Sequence, residues 1–146
     1  MRLGQGLLTA GIRGTVGAMA MTGVRSLTTS LGLVDQTPPE ALLQEKAGGL
    51  MAKIPADRQQ VVTELTHWGI GLATGAGFAL LPAKWRRLQW SGAAYGLTVM
   101  TGFEAGIAPL LGLSRAGQAR PMERLLLVAD HLLWGIVLSP PRHRHP

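Results

Sequence analysis

LTHWGIGLATGAGFALLPA, residues 65–83, is the stretch of sequence that decides the predicted fold, because it carries no ionisable side chain except His67. A water-exposed helix face usually carries glutamate or lysine every three or four residues, and this stretch has neither. A bilayer-spanning helix needs roughly 20 predominantly apolar residues. The stretch therefore predicts a membrane-spanning helix that ends at Pro82, and a soluble all-α bundle is the alternative.

The composition of the whole chain favours the same interpretation. Its 146 residues are enough for one domain, and 47% are hydrophobic while only 15% are charged. A typical soluble domain has roughly 25% charged residues, and a disordered chain has few apolar residues, whereas the mean hydropathy here is +0.21. Because cysteine is absent, disulfide frameworks, cysteine-zinc sites, iron-sulfur clusters and thiol catalysis are excluded.

Three further apolar segments predict three further spans. The expected fold is an all-α integral membrane four-helix bundle in a single membrane domain, with spans at about residues 4–24, 61–81, 88–113 and 122–139 and a basic tail over 140–146. Ionisable residues inside the first, third and fourth spans cost about 2.5 to 3.5 kcal/mol each near a helix centre, so these spans need partner helices. A signal peptide ending near Ala20 is the alternative for the first span, although Arg13 interrupts its apolar core.

The polar stretch between the first two spans predicts a short helix over about residues 38–54. The run from Thr37 to Glu40 has the pattern of a capping box, with proline at the first helical position. Leu43, Leu50 and Met51 then fall on one face at helical spacing. We expect an interfacial helix lying on the membrane surface, and a solvated helix packed over the bundle is the alternative.

Glycine spacing and a weak internal repeat indicate how the helices pack. Residues 17–23 resemble residues 96–102, and each is followed by a helix that starts at proline and carries a histidine, which predicts two tandem helical hairpins. Glycines four residues apart let helix backbones approach closely. Such pairs are Gly71 with Gly75, Gly92 with Gly96, and Gly102 with Gly106.

The net charge of +6 arises from 14 lysines and arginines against 8 acidic residues. These cations are scattered at the ends of the apolar segments rather than gathered in a basic stripe, so nucleic acid is not an expected partner. The expected partner is the lipid bilayer, with homo-oligomerisation or membership of a larger membrane complex left open. The expected location is the bacterial inner membrane, with several spans and both termini cytoplasmic.

Six ionisable side chains in or beside the spans are the candidate site residues: Arg13, Glu64, His67, Glu104, Asp130 and His131. With a helix rise of about 1.5 Å per residue, His67, Glu104 and His131 lie roughly 10 to 14 Å below the same face. Glu64 and Asp130 fall at a similar level, and Arg13 falls somewhat deeper. Because unpaired groups in an apolar medium cost several kcal/mol, we expect one polar layer in which these groups face one another or water.

This polar layer admits several interpretations. The first is a structural clamp, and the second is a proton relay or cation site formed by a carboxylate beside a histidine. Axial haem ligation by His67 and His131 is a third possibility. A carboxylate-bridged metal site would need a second Glu-x-x-His motif, which Val128 interrupts, so neither a metal nor another cofactor is expected. With no nucleophile elbow and no phosphate-binding loop, an enzyme is not expected.

The chain resembles the YagU-like and related small bacterial inner-membrane proteins. The resemblance rests on the run of residues 14–22, Pro38-Pro39, His67 followed by Gly71, Pro109–Gly112, and residues 131–135. It implies a helical integral membrane protein with no assigned reaction. The leading hypothesis is a non-enzymatic structural, stress-related or accessory membrane subunit. The alternatives are a small transporter or proton-linked channel using Glu104 with His67 and His131, and a haem- or quinone-associated redox subunit.

Overall fold

A computed structural model describes residues 3–32, 38–113 and 120–139. Every regular element in these ranges is helical, so the predicted all-α class is confirmed. The helices are α1 (Leu3–Ser30), α2 (Pro38–Met51), α3 (Ala56–Ala79), α4 (Ala83–Arg86), α5 (Ser91–Gly102), α6 (Ala108–Leu110) and α7 (Pro121–Leu138). A π-helical turn, Phe103–Ile107, joins α5 to α6 without a break, so α5 and α6 form one continuous helical segment. The described ranges therefore contain six helical segments.

Two antiparallel helix pairs form the body of the molecule. Helix α1 packs along α3, α5 packs along α7, and α1 also packs against α7. These pairs correspond to the two halves of the weak sequence repeat. Helices α3 and α7 therefore run parallel to each other and antiparallel to α1, which places residues near the middle of α3 and α7 at a similar height.

The prediction of a multi-pass protein of the bacterial inner membrane is wrong. In the described ranges, none of the helices combines the length and the apolar character that crossing a bilayer requires. The physical reason lies in the small side chains: residues 65–83 lack charge largely through glycine, alanine and threonine, which contribute little hydrocarbon surface. Helix α3 also begins with a polar turn, and in the predicted span 88–113 the α-helical part of α5 covers only Ser91–Gly102.

The helix boundaries match the sequence signals where proline starts a helix. Helix α7 begins at Pro121, and the Arg120 backbone N–H donates to Glu123 Oε2 at 2.9 Å. Helix α2 covers residues 38–51 of the predicted 38–54 helix and packs against α3. The capping residue Thr37 and the basic tail over 140–146 lie outside the described residues.

Glycine permits direct backbone contact between α1 and α3. A Cβ atom on Gly14 would overlap the carbonyl oxygen of Gly71, and one on Gly75 would lie 2.6 Å from the carbonyl oxygen of Ala10. Backbone atoms cannot move aside as a flexible side chain can, so only glycine fits at this crossing. The packing predicted for the Gly71 and Gly75 pair is therefore present.

Helices α5 and α7 meet in the same way. A Cβ atom on Gly92 would overlap the carbonyl oxygen of Gly135, and one on Gly96 would overlap that of His131. In contrast, a Cβ atom on Gly102 or Gly106 would have no neighbour within 4 Å among the described residues outside its own helix turn, so this third pair forms no comparable contact. Close packing thus occurs at two of the three predicted pairs.

The indole of Trp134 connects α7 to α1 in the centre of the molecule. Its Nε1 donates a hydrogen bond to the carbonyl oxygen of Gly14 at 2.9 Å, and its ring stacks on Tyr95 with centroids 6.0 Å apart. Tyr95 in turn contacts Phe78 edge-on at 5.3 Å and donates its hydroxyl to the carbonyl oxygen of Thr74 at 2.9 Å. These aromatic contacts join all four long helices around one small core.

Candidate functional site

Arg25 of α1 contacts both helices that flank it. Its Nη2 forms a hydrogen bond with His67 Nε2 on α3, and its Nε lies 3.7 Å from Asp130 Oδ2 on α7. The Arg25 and Asp130 side chains are only 11% and 6% exposed, so this ion pair is screened from water. One side chain therefore connects three helices. We call Arg25, His67, Asp130 and His131 the Arg25 cluster.

The helix packing explains why these residues meet. Gly14, Ala18, Met21, Arg25 and Thr28 recur at three- and four-residue spacing, and all five are buried on the same face of α1. The small residues bring α3 and α7 against this face. Arg25 lies about three turns beyond the Gly14 contact, and its long side chain reaches His67 on α3 and Asp130 on α7.

His67 is neutral in this arrangement. A guanidinium group has only donors, so His67 Nε2 must accept the hydrogen bond and the ring proton resides on Nδ1. Burial, the positive charge of Arg25 and the proximity of His131 together lower the pKa of His67 to about 3. The imidazole is therefore an uncharged acceptor across the physiological pH range.

Asp130 and His131 are both affected by burial, with opposite pKa directions. Burial raises the pKa of Asp130 to about 6, although Arg25 opposes this increase. His131 Nδ1 donates to the carbonyl oxygen of Leu127 at 2.9 Å. Burial lowers the pKa of His131, the Leu127 hydrogen bond opposes that decrease, and Arg25 adds to it. At pH 7.5 the cluster thus contains the Arg25 and Asp130 charges and two neutral rings.

A second polar contact between α1 and α3 centres on Thr22. Its Oγ1 lies 2.5 Å from Glu64 Oε2 and accepts a hydrogen bond from Trp68 Nε1 at 3.1 Å. Glu64 and Trp68 also line an open groove of about 260 Å³ along α3, together with Asp57, Gln60, Val61 and Leu65. Thr22 lies one helical turn before Arg25, and its contacts also hold α1 against α3.

Four of the six candidate residues predicted from sequence are in or beside the Arg25 cluster. His67, Asp130 and His131 belong to it, and Glu64 lies next to it through Thr22. Glu104 and Arg13 are half-buried, and within the described ranges neither takes part in a hydrogen bond or ion pair with the cluster. Glu104 instead belongs to the π-helical turn.

The sequence pattern does not predict Arg25 as a site residue, because it follows the apolar run of residues 4–24 and a cation there is typical of a helix end. Helix α1 continues to Ser30, so Arg25 lies inside it. The available signal was the regular spacing of Gly14, Ala18 and Met21, which predicts that residue 25 faces inward.

The chemistry of this donor set favours internal pairing over ligand binding. His67 Nε2, the lone pair that a haem iron would require, already accepts from Arg25. In the part of the chain that the structure describes, no three histidine or carboxylate side chains are grouped so as to hold a metal ion.

Comparison of the chain with known protein families, with curated proteins and with solved structures finds no match. The assignment of a role to the Arg25 cluster therefore depends on its geometry and chemistry.

Because the pKa of His67 is lowered and that of Asp130 is raised, we predict that Asp130→Asn changes how the free energy of unfolding depends on pH. The low pKa of His67 gives stability that is present above about pH 6.5 and is lost as pH falls towards 3. The raised pKa of Asp130 gives stability that is present below its usual pKa of 3.8 and is lost as pH rises through about 6. Between about pH 4 and 6 the contributions of His67 and Asp130 to the free energy of unfolding change with pH in opposite directions. Without the Asp130 carboxyl group, only the contribution of His67 remains, and stability falls on acidification.

Urea unfolding of the wild type and of Asp130→Asn, measured at several pH values from neutral to acidic, tests this effect. We expect the free energy of unfolding of the variant to fall more steeply on acidification from pH 6 to 4, by up to about 1.4 kcal/mol per pH unit. The matched control is Asp57→Asn, which changes an exposed carboxylate at the start of α3. Parallel pH profiles for wild type and Asp130→Asn would contradict the pKa assignment.

Proposed function

We propose that the protein is a non-enzymatic accessory or scaffold subunit that holds two helical hairpins in a fixed arrangement and presents an apolar outer surface to a partner protein. The Arg25 cluster serves this function as a structural clamp. Its polar groups bind one another across α1, α3 and α7 rather than a substrate.

The observation that carries this proposal is the distribution of side chains between core and surface. Met21, Phe78, Trp134 and Leu138 form a small apolar core, but many other large apolar side chains are exposed along the outer helix faces. The exposed set includes Leu8, Ile12, Val16, Met19 and Leu27 on α1, Val61, Leu65 and Leu72 on α3, and Met122, Leu125 and Ile136 on α7. Large apolar side chains gathered on one exposed helix face mark an interaction site.

The outer face of α1 is the best defined part of this surface. Ile12, Val16 and Met19 follow one another at four- and three-residue spacing, so they share a face, and all three are exposed. The opposite face of the helix holds the glycine contacts and Arg25. Helix α1 therefore packs against two helices of its own chain and leaves its outer side exposed for a partner protein.

Size measurement of the purified chain by light scattering in amphiphile-free buffer tests the proposal. We expect the wild type to form assemblies larger than a monomer, because the exposed apolar faces cover one another when the partner is missing. The variant Ile12→Gln, Val16→Gln, Met19→Gln is expected to be monomeric with an unchanged melting temperature, since these side chains lie outside the buried core.

The matched control is Thr9→Gln, Ser26→Gln, Thr29→Gln, which places glutamine at three other exposed positions of the same helix. It should leave the assemblies unchanged. A monomeric wild type, or a triple glutamine variant on the apolar face that associates as strongly as the wild type, would contradict the proposed role of this surface.

A proton-linked function that uses Glu104 with both histidines receives no support from the described contacts. Glu104 makes no hydrogen bond to either ring within these ranges, and His67 holds its lone pair against Arg25. The structural role of the cluster is therefore the function that its geometry supports best.

A further inference from the structure

The segment that connects α3 to α5 exposes tryptophan beside basic residues. We define residues 80–90, which include α4, as the α4 turn. Trp85 and Trp90 are 54% and 70% exposed, and Leu80 and Leu88 are exposed to a similar degree. Lys84 and Arg87 are exposed between them, while Arg86 Nε donates to the carbonyl oxygen of Leu81 at 3.0 Å. Large apolar side chains alternating with cations identify this turn as a contact surface.

The start of α1 extends this surface. Because α1 runs antiparallel to α3, the backbone at Ala10 lies against Gly75, near the end of α3. Leu3 and Leu8 precede that contact and are exposed at the same end of the molecule. The α4 turn therefore adjoins further apolar side chains.

The charges of the chain are distributed unevenly between its two ends. None of its 8 acidic residues falls within residues 1–34, 65–103 or 131–146. Asp57 and Glu64 lie in the first half of α3, and the acidic residues of α7 also lie before its last two turns. No carboxylate side chain on α1, α3, α5 or α7 is thus placed at the α4 end to neutralise Lys84 and Arg87.

We propose that the α4 turn binds an anionic lipid surface end-on. The tryptophan rings suit the boundary between headgroups and acyl chains, because an indole combines an apolar body with a hydrogen-bond donor. Lys84 and Arg87 lie between the rings, where they contact lipid phosphates. The turn contacts the surface from one side and does not cross it.

The aliphatic side chains distinguish a lipid surface from a nucleic acid. Aromatic and basic residues alone would suit single-stranded RNA, in which bases stack on aromatic rings. Leu80 and Leu88 have no comparable partner on a base or a phosphate, whereas acyl chains cover them. The exposed leucines therefore favour lipid as the ligand.

Vesicle flotation with the full-length chain tests the proposal. The probes are vesicles of phosphatidylglycerol and phosphatidylcholine in equal parts, and vesicles of phosphatidylcholine alone. We expect preferential binding to the anionic vesicles. Because each cation near such a surface contributes about fivefold to partitioning, Lys84→Gln with Arg87→Gln should weaken binding by about 25-fold. Trp85→Ala with Trp90→Ala should weaken it at least about tenfold, since both rings leave the interface.

The matched control is Lys53→Gln with Arg58→Gln, which removes two exposed cations far from the α4 turn. It should retain binding to the anionic vesicles within about twofold, because its cations do not reach the surface. Equal losses in this control and in the Lys84 and Arg87 variant would overturn the proposal, as would equal binding of wild type to neutral vesicles. Tighter binding to a single-stranded RNA oligomer would overturn the choice of lipid.

This inference and the proposed subunit role fail separately. The vesicle experiment changes only the α4 turn, whereas the assembly experiment changes the outer face of α1. If the variant with glutamine at residues 12, 16 and 19 still floats with anionic vesicles, the α4 turn binds lipid independently of that face. Loss of flotation in this variant would overturn the assignment of lipid binding to the α4 turn.

Discussion

Replacing Arg25 by methionine lowers the free energy of unfolding by about 3 to 5 kcal/mol at pH 7.5, the range typical of breaking one side of a buried ion pair. Methionine keeps much of the length and apolar volume of arginine but leaves Asp130 without its cation. It also leaves His67 Nε2 without the donor that faces it. Urea unfolding monitored by circular dichroism measures this loss.

Arg13→Met is the matched control for that substitution. Arg13 lies on the same helix, is half-buried, and has no hydrogen bond or ion pair within the described ranges. Its replacement should change the free energy of unfolding by no more than about 0.5 kcal/mol. Comparable losses in the two variants would show that any arginine in α1 supports stability, and the special position of Arg25 would be disproved.

The second large effect is expected for Gly14→Ala, at about 3 kcal/mol of destabilisation, the upper part of the usual range for overpacking. The added methyl group overlaps the carbonyl oxygen of Gly71 and lies 2.8 Å from the Cα atom of Gly75. Both neighbours are backbone atoms, so α1 and α3 must separate. The separation also weakens the Trp134 hydrogen bond to the carbonyl oxygen of Gly14.

Gly23→Ala, on the same helix, is expected to increase stability rather than lower it. No atom lies within 4 Å of a Cβ built at Gly23, and alanine is a better helix former than glycine. This variant should be more stable than wild type by about 0.5 to 1 kcal/mol. Thermal unfolding of the two variants compares them directly, and destabilisation of both by the same amount would show that the Gly14 crossing is not specific.

The sequence predicted the positions of the helices better than the medium around them. Proline signals and helical spacing located α2 and α7, and the glycine pairs at residues 71 and 75 and at residues 92 and 96 identified the close crossings. The predicted membrane location was wrong because a scarcity of charged side chains does not by itself provide abundant hydrocarbon surface. Glycine and threonine satisfy the first condition without providing the second.

The site was predicted in part, because counting the helix rise requires regular α-helices with correct ends. Counting the helix rise placed His67 and His131 at a common height, and both belong to the Arg25 cluster. The same counting included Glu104, but the π-helical turn has a different number of residues per turn from an α-helix. Arg25 lies outside the first helix predicted to end at residue 24, whereas α1 ends at Ser30 and contains both Arg13 and Arg25.

The central claim is that Arg25 holds α1 to α7 through Asp130 in the core. A double-mutant cycle of Arg25→Met and Asp130→Asn, followed by urea unfolding at pH 7.5, tests it most directly. Interacting residues typically show coupling of about 0.5 to 3 kcal/mol, and we predict about 2 kcal/mol for this buried pair. Additive losses, with coupling within about 0.5 kcal/mol of zero, would contradict the claim that this pair stabilises the fold.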